Sequence, residues 1–189
     1  TLESDDGLTK SGTHPLEVSV GSGSSSVKHD TASVTVRNFS GVNHVHTVKL
    51  DGVYNFFPGK EQLVTVTLED IYVNGVLDAA GSITFSASIA GKLSARAAAV
   101  AGTPGMYQAS VKLMKSGEQA LTARSNNLEG GKQVTVNYPN QKSSVSTVKL
   151  EVDTQQIRLG DGIGFTVTLQ DVNKNGVTGM VGQFTLTDN

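Results

Sequence analysis

The chain repeats itself at a period near 100 residues, and that limits the fold before any local pattern is read. Thr47-Val48-Lys49-Leu50 recurs as Thr147-Val148-Lys149-Leu150, 100 residues on. The stretch Val64 to Asp70 recurs as Phe165 to Asp171 at an offset of 101, and Asn74-Gly75-Val76 returns as Asn175-Gly176-Val177 at the same offset. In the other direction, Val34-Thr35-Val36 matches Val134-Thr135-Val136 at an offset of 100. Leu8 and Lys10-Ser11-Gly12 match Leu113 and Lys115-Ser116-Gly117 at an offset of 105. The five-residue difference is assigned to the Gly/Ser-rich hairpin loop at 21–26, where an insertion costs little. A unit of about 100 residues in a chain of 189 gives three segments. Residues 1–43 read as the C-terminal half of one repeat, 44–140 as a complete repeat, and 141–189 as the N-terminal half of the next. The connections at 37–46 and 137–146 are short and polar, so neighbouring units are expected end to end with limited swing.

Within the repeat, the dominant local signal has a period of two. Val64, Val66 and Leu68 alternate with threonines, and Tyr107, Ala109, Val111 and Leu113 alternate with Gln108, Ser110 and Lys112. Val134, Val136 and Tyr138 alternate with Thr135 and Asn137. Successive side chains of a strand leave opposite faces, so these are half-buried strands. The Val and Thr content suits a pleated surface. The one helix-friendly stretch, 93–101, is uncapped and runs into Gly-Thr-Pro-Gly, and is expected to be an irregular or extended connection. The fold class expected is all-β, as immunoglobulin-like β-sandwich repeats in tandem. The core assignment is consistent across repeats. Val64, Val66 and Leu68 map onto Phe165, Val167 and Leu169, Val48 and Leu50 onto Val148 and Leu150, and Ile83 and Phe85 onto Phe184 and Leu186.

Composition narrows the function classes. There are 15 basic and 17 acidic residues, a formal net charge of −2. This lacks the basic excess of a nucleic-acid binder, so no nucleic-acid partner is expected. No apolar run approaches the ~18 residues of a membrane span and no signal-peptide pattern opens the chain, so no membrane contact by this segment is expected. With no cysteine at all, disulfides and thiolate metal sites are excluded, and the compartment is left open.

Residues with chemical potential each have a plainer reading. Asp171-x-Asn173-x-Asn175-Gly176 carries the first half of a calcium-loop signature, but position 12, where a bidentate acid belongs, is Gly182. Asn and Gly in that order also suit a turn with positive φ, which is the reading adopted. His44 and His46 share one strand face in this reading and could begin a zinc site, yet their register mates are Ser144 and Ser146. They are read as a solvated pair at a unit junction, with His14 and His29 as surface-loop residues. Gly21-Ser22-Gly23-Ser24 lacks the Gly-Lys-Ser/Thr ending of a phosphate loop, and no Gly-x-Ser-x-Gly elbow occurs between strand and helix. The carboxylate pairs Asp5-Asp6 and Glu69-Asp70 are adjacent in sequence, so on a strand they point apart. No catalytic, cofactor or metal residue is assigned, and an enzyme is not expected.

The order of motifs in the complete repeat resembles the bacterial immunoglobulin-like domains of the invasin and intimin type. It runs from Val64-Thr65-Val66-Thr67-Leu68-Glu69-Asp70 through Asn74-Gly75-Val76, Ile83-Thr84-Phe85-Ser86 and Gly91-Lys92-Leu93-Ser94 to Val134-Thr135-Val136. Asp171 to Gly179 is the closer match to the family's Asn-containing turn, from which Tyr72 and Val73 depart. The resemblance implies a stalk or spacer segment of a large adhesin-like protein on the bacterial cell surface, extracellular and without cofactors. Its implied partners are neighbouring repeats of the same protein, with a host or bacterial surface protein as a further candidate. The alternative is an immunoglobulin-like binding module of a phage virion or a plasmid-encoded secreted protein. A third is an accessory domain of a secreted enzyme.

Overall fold

In a computed structural model of the chain, residues 8–20, 28–154, 156, 158–181, 185 and 187 are described. Twelve strands are formed among them, and no α-helix. The hairpin of β1 (Gly12–Val20) and β2 (Lys28–Val36) comes first. The central unit contains β3 (Thr47–Asp51), β4 (Glu61–Glu69), β5 (Thr84–Ala87), β6 (Gly91–Leu93), β7 (Ala97–Ala99), β8 (Met106–Lys112), β9 (Gly117–Ser125) and β10 (Leu128–Val136). The chain then enters the pair β11 (Thr147–Val152) and β12 (Phe165–Gln170).

The central strands make two four-stranded antiparallel sheets, ordered β3-β4-β8-β7 and β10-β9-β5-β6. These are the A-B-E-D and G-F-C orders of the immunoglobulin fold, the second extended by β6 at its edge. Phe56 leaves the first sheet and makes a parallel bridge to Val136 in the second, which closes one side of the sandwich. The core lies between the sheets. Val64, Val66 and Leu68 from β4 meet Phe85 from β5, Tyr107 and Val111 from β8 and Leu121 from β9, each no more than 1 % exposed. The period-two reading thus gives the inward face of β4 and β8 correctly. Tyr138 is the exception, because β10 ends at Val136 and the tyrosine beyond it is half exposed. The 93–101 segment is extended, as expected, and its alanines add β7 to the edge of the first sheet through Ala97↔Ala109 and Ala99↔Tyr107. Tyr107 also fixes the connection after β4. Its hydroxyl donates to Val76 O at 2.7 Å and accepts from Ala79 N at 3.1 Å.

The flanking pairs reproduce the central ones position by position. Gly12↔Val36 through Val20↔Lys28 in β1–β2 parallels Gly117↔Val136 through Ser125↔Leu128 in β9–β10. The central hairpin turns on Asn126 and Asn127, both at positive φ (48° and 64°), the geometry of a two-residue type I′ turn. Likewise Val48↔Leu68 and Leu50↔Val66 are matched by Val148↔Leu169 and Leu150↔Val167. What differs is cover. Val148 and Leu150 are 64 % and 50 % exposed where Val48 and Leu50 are 6 % and 9 %. Among the described residues, no second sheet lies over β11 and β12. Phe184, Leu186, Gly182, the 21–26 loop and Asp5-Asp6 fall outside the described residues.

Gly75 is required by close approach. A Cβ there would sit 2.1 Å from Pro104 O and 2.7 Å from Gly105 N, so only glycine lets the 104–105 backbone cross it. Val73, two residues earlier, is held at φ 62° although it is β-branched, and Lys174 takes the same φ in the last unit. A branched residue in this region is strained by about 1–3 kcal/mol, and Asn tolerates it far better. Val73 is 59 % exposed, so little packing is lost on replacing it. Val73→Asn is therefore expected to raise the stability of the central unit by about 1 kcal/mol. Val172→Asn, on an exposed residue outside the positive-φ set, should stay within about 0.5 kcal/mol. Urea unfolding of the two variants measures both.

Candidate functional site at the joints between units

The loop after β4 and its counterpart after β12 are built around an aspartate. Asp70 Oδ1 accepts from the amides of Tyr72 and Asn74, each at 2.8 Å, and Oδ2 accepts from Asn74 Nδ2 at 3.1 Å. Asp171 Oδ1 accepts from the amides of Asn173 and Asn175 at 2.8 Å, and Oδ2 from Asn175 Nδ2 at 2.9 Å. The main chain closes the loop with Asp70 N donating to Asn74 O, and Asp171 N to Asn175 O, at 2.9 Å in both. All four of these Asp and Asn residues are buried. Short polar side chains that bond their own backbone stabilise such turns, and this sets the chain reversal. The departure at Tyr72 and Val73 leaves the loop unchanged, because those positions contribute only main-chain atoms to it.

This geometry explains why half a calcium signature is present. The carboxylate oxygens that would face a cation instead accept from the loop's own N–H groups. A positive charge is already supplied from outside the loop: Lys10 Nζ donates to Tyr72 O at 2.6 Å, and Lys115 Nζ donates to Asn173 O. Among the described residues, no group of three or more His, Cys, Asp or Glu side chains is placed to hold a metal ion.

Each asparagine also reaches the preceding unit. Asn74 Nδ2 donates to Thr9 O at 2.6 Å while its Oδ1 accepts from Ser11 N at 2.9 Å. Asn175 Nδ2 donates to Met114 O and its Oδ1 accepts from Ser116 N, both at 2.8 Å. Behind the receiving turn, His14 Nε2 donates to Lys10 O at 2.6 Å, and its register mate Gln119 donates through Nε2 to Lys115 O at 2.5 Å. His14 is therefore a partly buried turn-bracing residue, not a loop histidine. The side chain of His29 is outside the described residues.

The connecting segments lie beside these contacts. Each contains one turn of 3-10 helix, Val42–His44 and Lys142–Ser144. His44 thus closes a helical turn and stacks on Phe39, with ring centroids 4.5 Å apart and an interplanar angle of 5°. It does not share a strand face with His46, because it belongs to the 3-10 turn and β3 begins only at Thr47. Both histidines line a cleft of about 290 Å³ with Asp70 and Tyr72. The corresponding cleft at the second joint is about 580 Å³, lined by Pro139, Ser144, Ser146 and Asp171 and widened toward Phe57 and Lys60. Leu77 N donates to Phe39 O, and Thr178 N to Pro139 O, at 2.8 Å each, so the linker is stitched to the following unit at both joints.

Sequence reasoning identified Asp171, Asn175 and Lys115-Ser116-Gly117 separately, one as a turn and the other as a repeat marker. The missed signal was that the two motifs recur together, each on its own offset, at both ends of the central unit.

No protein-family model matches the chain, and no curated protein sequence matches it. Among solved structures it is similar to domains 4–9 of the surface layer protein SbsC, at 20 % identity over 88 % of this chain and 25 % of that one, with a TM-score of 0.37. It is also similar to invasin, a bacterial integrin-binding protein, at 14 % identity over 81 % of this chain and 31 % of that one, with a TM-score of 0.43. The chain thus spans 25 % and 31 % of their lengths.

Burial opposes the charge on Asp171, but the side-chain and amide bonds from Asn175, the amide of Asn173 and the nearby Lys115 ammonium outweigh it. The carboxyl is held below its usual value. Such a depressed group contributes stability that is present above the unfolded value near 4 and lost as pH falls through the lower folded value. The contacts of Asn175 with Met114 and Ser116 should therefore be unchanged from neutral pH down through the ordinary carboxylate range and weaken only below it, as Asp171 itself protonates. The Ser116 amide shift followed by NMR during acid titration tests this. In Asp171→Asn the acid-dependent step should be missing.

Proposed function

We propose that this chain is a spacer segment of a large bacterial surface protein built from tandem immunoglobulin-like repeats of the invasin and intimin type, and that it is not an enzyme. The observation that carries the reading is the recurrence of one inter-unit contact set at both ends of the central sandwich. A chain whose polar burial is invested in end-to-end contacts is suited to holding length and direction. Quasi-one-dimensional arrays use this logic, each unit touching only its neighbours. The order of motifs from β4 to β10 supplies the family part of the proposal, and by that analogy a bacterial surface location. Its partners on this reading are the adjoining repeats. A binding module of a virion or secreted protein is the second reading, and the 580 Å³ cleft at the second joint is the feature that would serve it.

Tandem copies of one full period, residues 41–140, placed between a bacterial surface anchor and a fluorescent tip tag distinguish the two. A spacer raises the tag by a constant increment per copy, and the free 189-residue chain shows no saturable binding to bacterial or epithelial cells. A tag height independent of copy number contradicts the spacer reading. Saturable binding by the free chain moves the assignment to a binding module.

A further inference from the structure

We propose that the Asp-x-x-x-Asn loop of each unit and the Lys-Ser-Gly turn of the unit before it are a matched plug and socket. Together they hold successive repeats at one fixed angle and rotation. The joint stands on geometry alone, so its failure would leave the spacer reading in place as a flexible stalk.

The two joints share one set of bonded atoms and differ in the residues around it. The atoms used are the same at both: asparagine Oδ1 to a serine amide, asparagine Nδ2 to the carbonyl two residues before that serine, and a lysine ammonium to the carbonyl of the loop's third residue. The residues between them differ freely. Ile71-Tyr72-Val73 stands where Val172-Asn173-Lys174 stands, and Thr9 where Met114 stands. Of the positions that contribute only main-chain atoms, Thr9 and Tyr72 become Met114 and Asn173 while the serine is kept, and the side chains that bond across the joint are Asn and Lys in both cases. The joint therefore selects two side chains and otherwise reads backbone shape.

The plug is ordered before it docks. The aspartate fixes the loop by accepting from its amides and from the asparagine's own Nδ2, so that amide already points outward with its Oδ1 free to receive the serine N–H. Little side-chain freedom remains to be lost on contact, which strengthens an interface without enlarging it. The socket is braced in the same manner, by Gln119 or His14 on the lysine carbonyl.

A linker alone would be a hinge. At each joint the following unit is tied to two separate segments of the preceding one. These are the linker, through Phe39 or Pro139, and the socket turn, through Thr9 and Ser11 or Met114 and Ser116. Two attachments on different segments remove both bending and twisting.

The absence of native cysteine allows the test in the whole chain. Spin labels at Ser86→Cys in the central unit and Thr166→Cys in the last report the second joint by pulsed electron resonance. Both positions are exposed. The wild-type background should give one narrow distance peak. Asn175→Asp, which keeps shape but removes the donor and adds a charge beside Asp171, should lose that single peak and give a broad distribution. Lys115→Ala, whose site lies on the fully formed sandwich, should broaden it as well, with far-UV circular dichroism unchanged. Val172→Ser, which changes an exposed loop side chain that makes no hydrogen bond across the joint, should leave the peak narrow. A broad distribution in the wild-type background overturns the proposal, and so does a narrow peak retained in both Asn175→Asp and Lys115→Ala.

Discussion

The buried carboxylate–carboxamide pair at the end of the second strand of each unit is the interaction on which the arrangement of the molecule depends. An ionised carboxylate removed from water is costly unless both its oxygens are met by donors. Asp70 and Asp171 meet that demand with loop amides and with one asparagine. The asparagine is thereby held with its remaining hydrogen-bonding capacity directed at the neighbouring unit. One polar pair thus serves the turn inside a unit and the contact between units. Removing the asparagine would leave a buried aspartate and a serine amide short of partners, a loss of about 1–3 kcal/mol for each group left unmet.

This coupling gives the molecule its division of labour. The apolar residues of the central unit form a closed core between two sheets, and that core supplies stability. Polar groups at the two ends supply direction. The outer faces of the strands are tied by ordinary surface pairs such as Lys49–Glu69 at 2.7 Å and by Thr67 donating to Asp51 at 2.5 Å. Pairs of this exposure contribute little to stability. The strain accepted at Val73 lies inside the Asp70 loop, where the surrounding hydrogen bonds dictate the backbone whatever side chain is present.

Much of the fold was legible in the sequence because β-sandwich cores obey a simple period. Val64, Val66, Leu68, Tyr107, Ala109 and Val111 alternate cleanly and are all buried. The reading was less successful where the chain leaves regular strands. One strand face is expected for His44 and His46, but His44 ends a turn of 3-10 helix and β3 begins only at Thr47, and helical turns of three residues leave no periodic mark. Tyr138 continued the alternation of β10 in sequence but not in space, since the sheet had already ended. The joint was hidden for a different reason. Its two halves are polar, short and about sixty residues apart along the chain, and half of the atoms involved belong to the backbone, which has no sequence signature. Only the register of one repeat against the next connects Asn175 with Ser116.

Amide hydrogen exchange at Ser11 and Ser116 in the intact chain tests the central claim most directly. Both amides lie in short half-buried turns outside the strand ladders that would exchange quickly without a partner, and both donate to an asparagine of the following unit. The account predicts marked protection at both in the wild-type protein, lost at Ser116 alone in Asn175→Ala and at Ser11 alone in Asn74→Ala. Exchange of Ser11 and Ser116 at the rate of an open turn, or protection that survives removal of the asparagines, would contradict it.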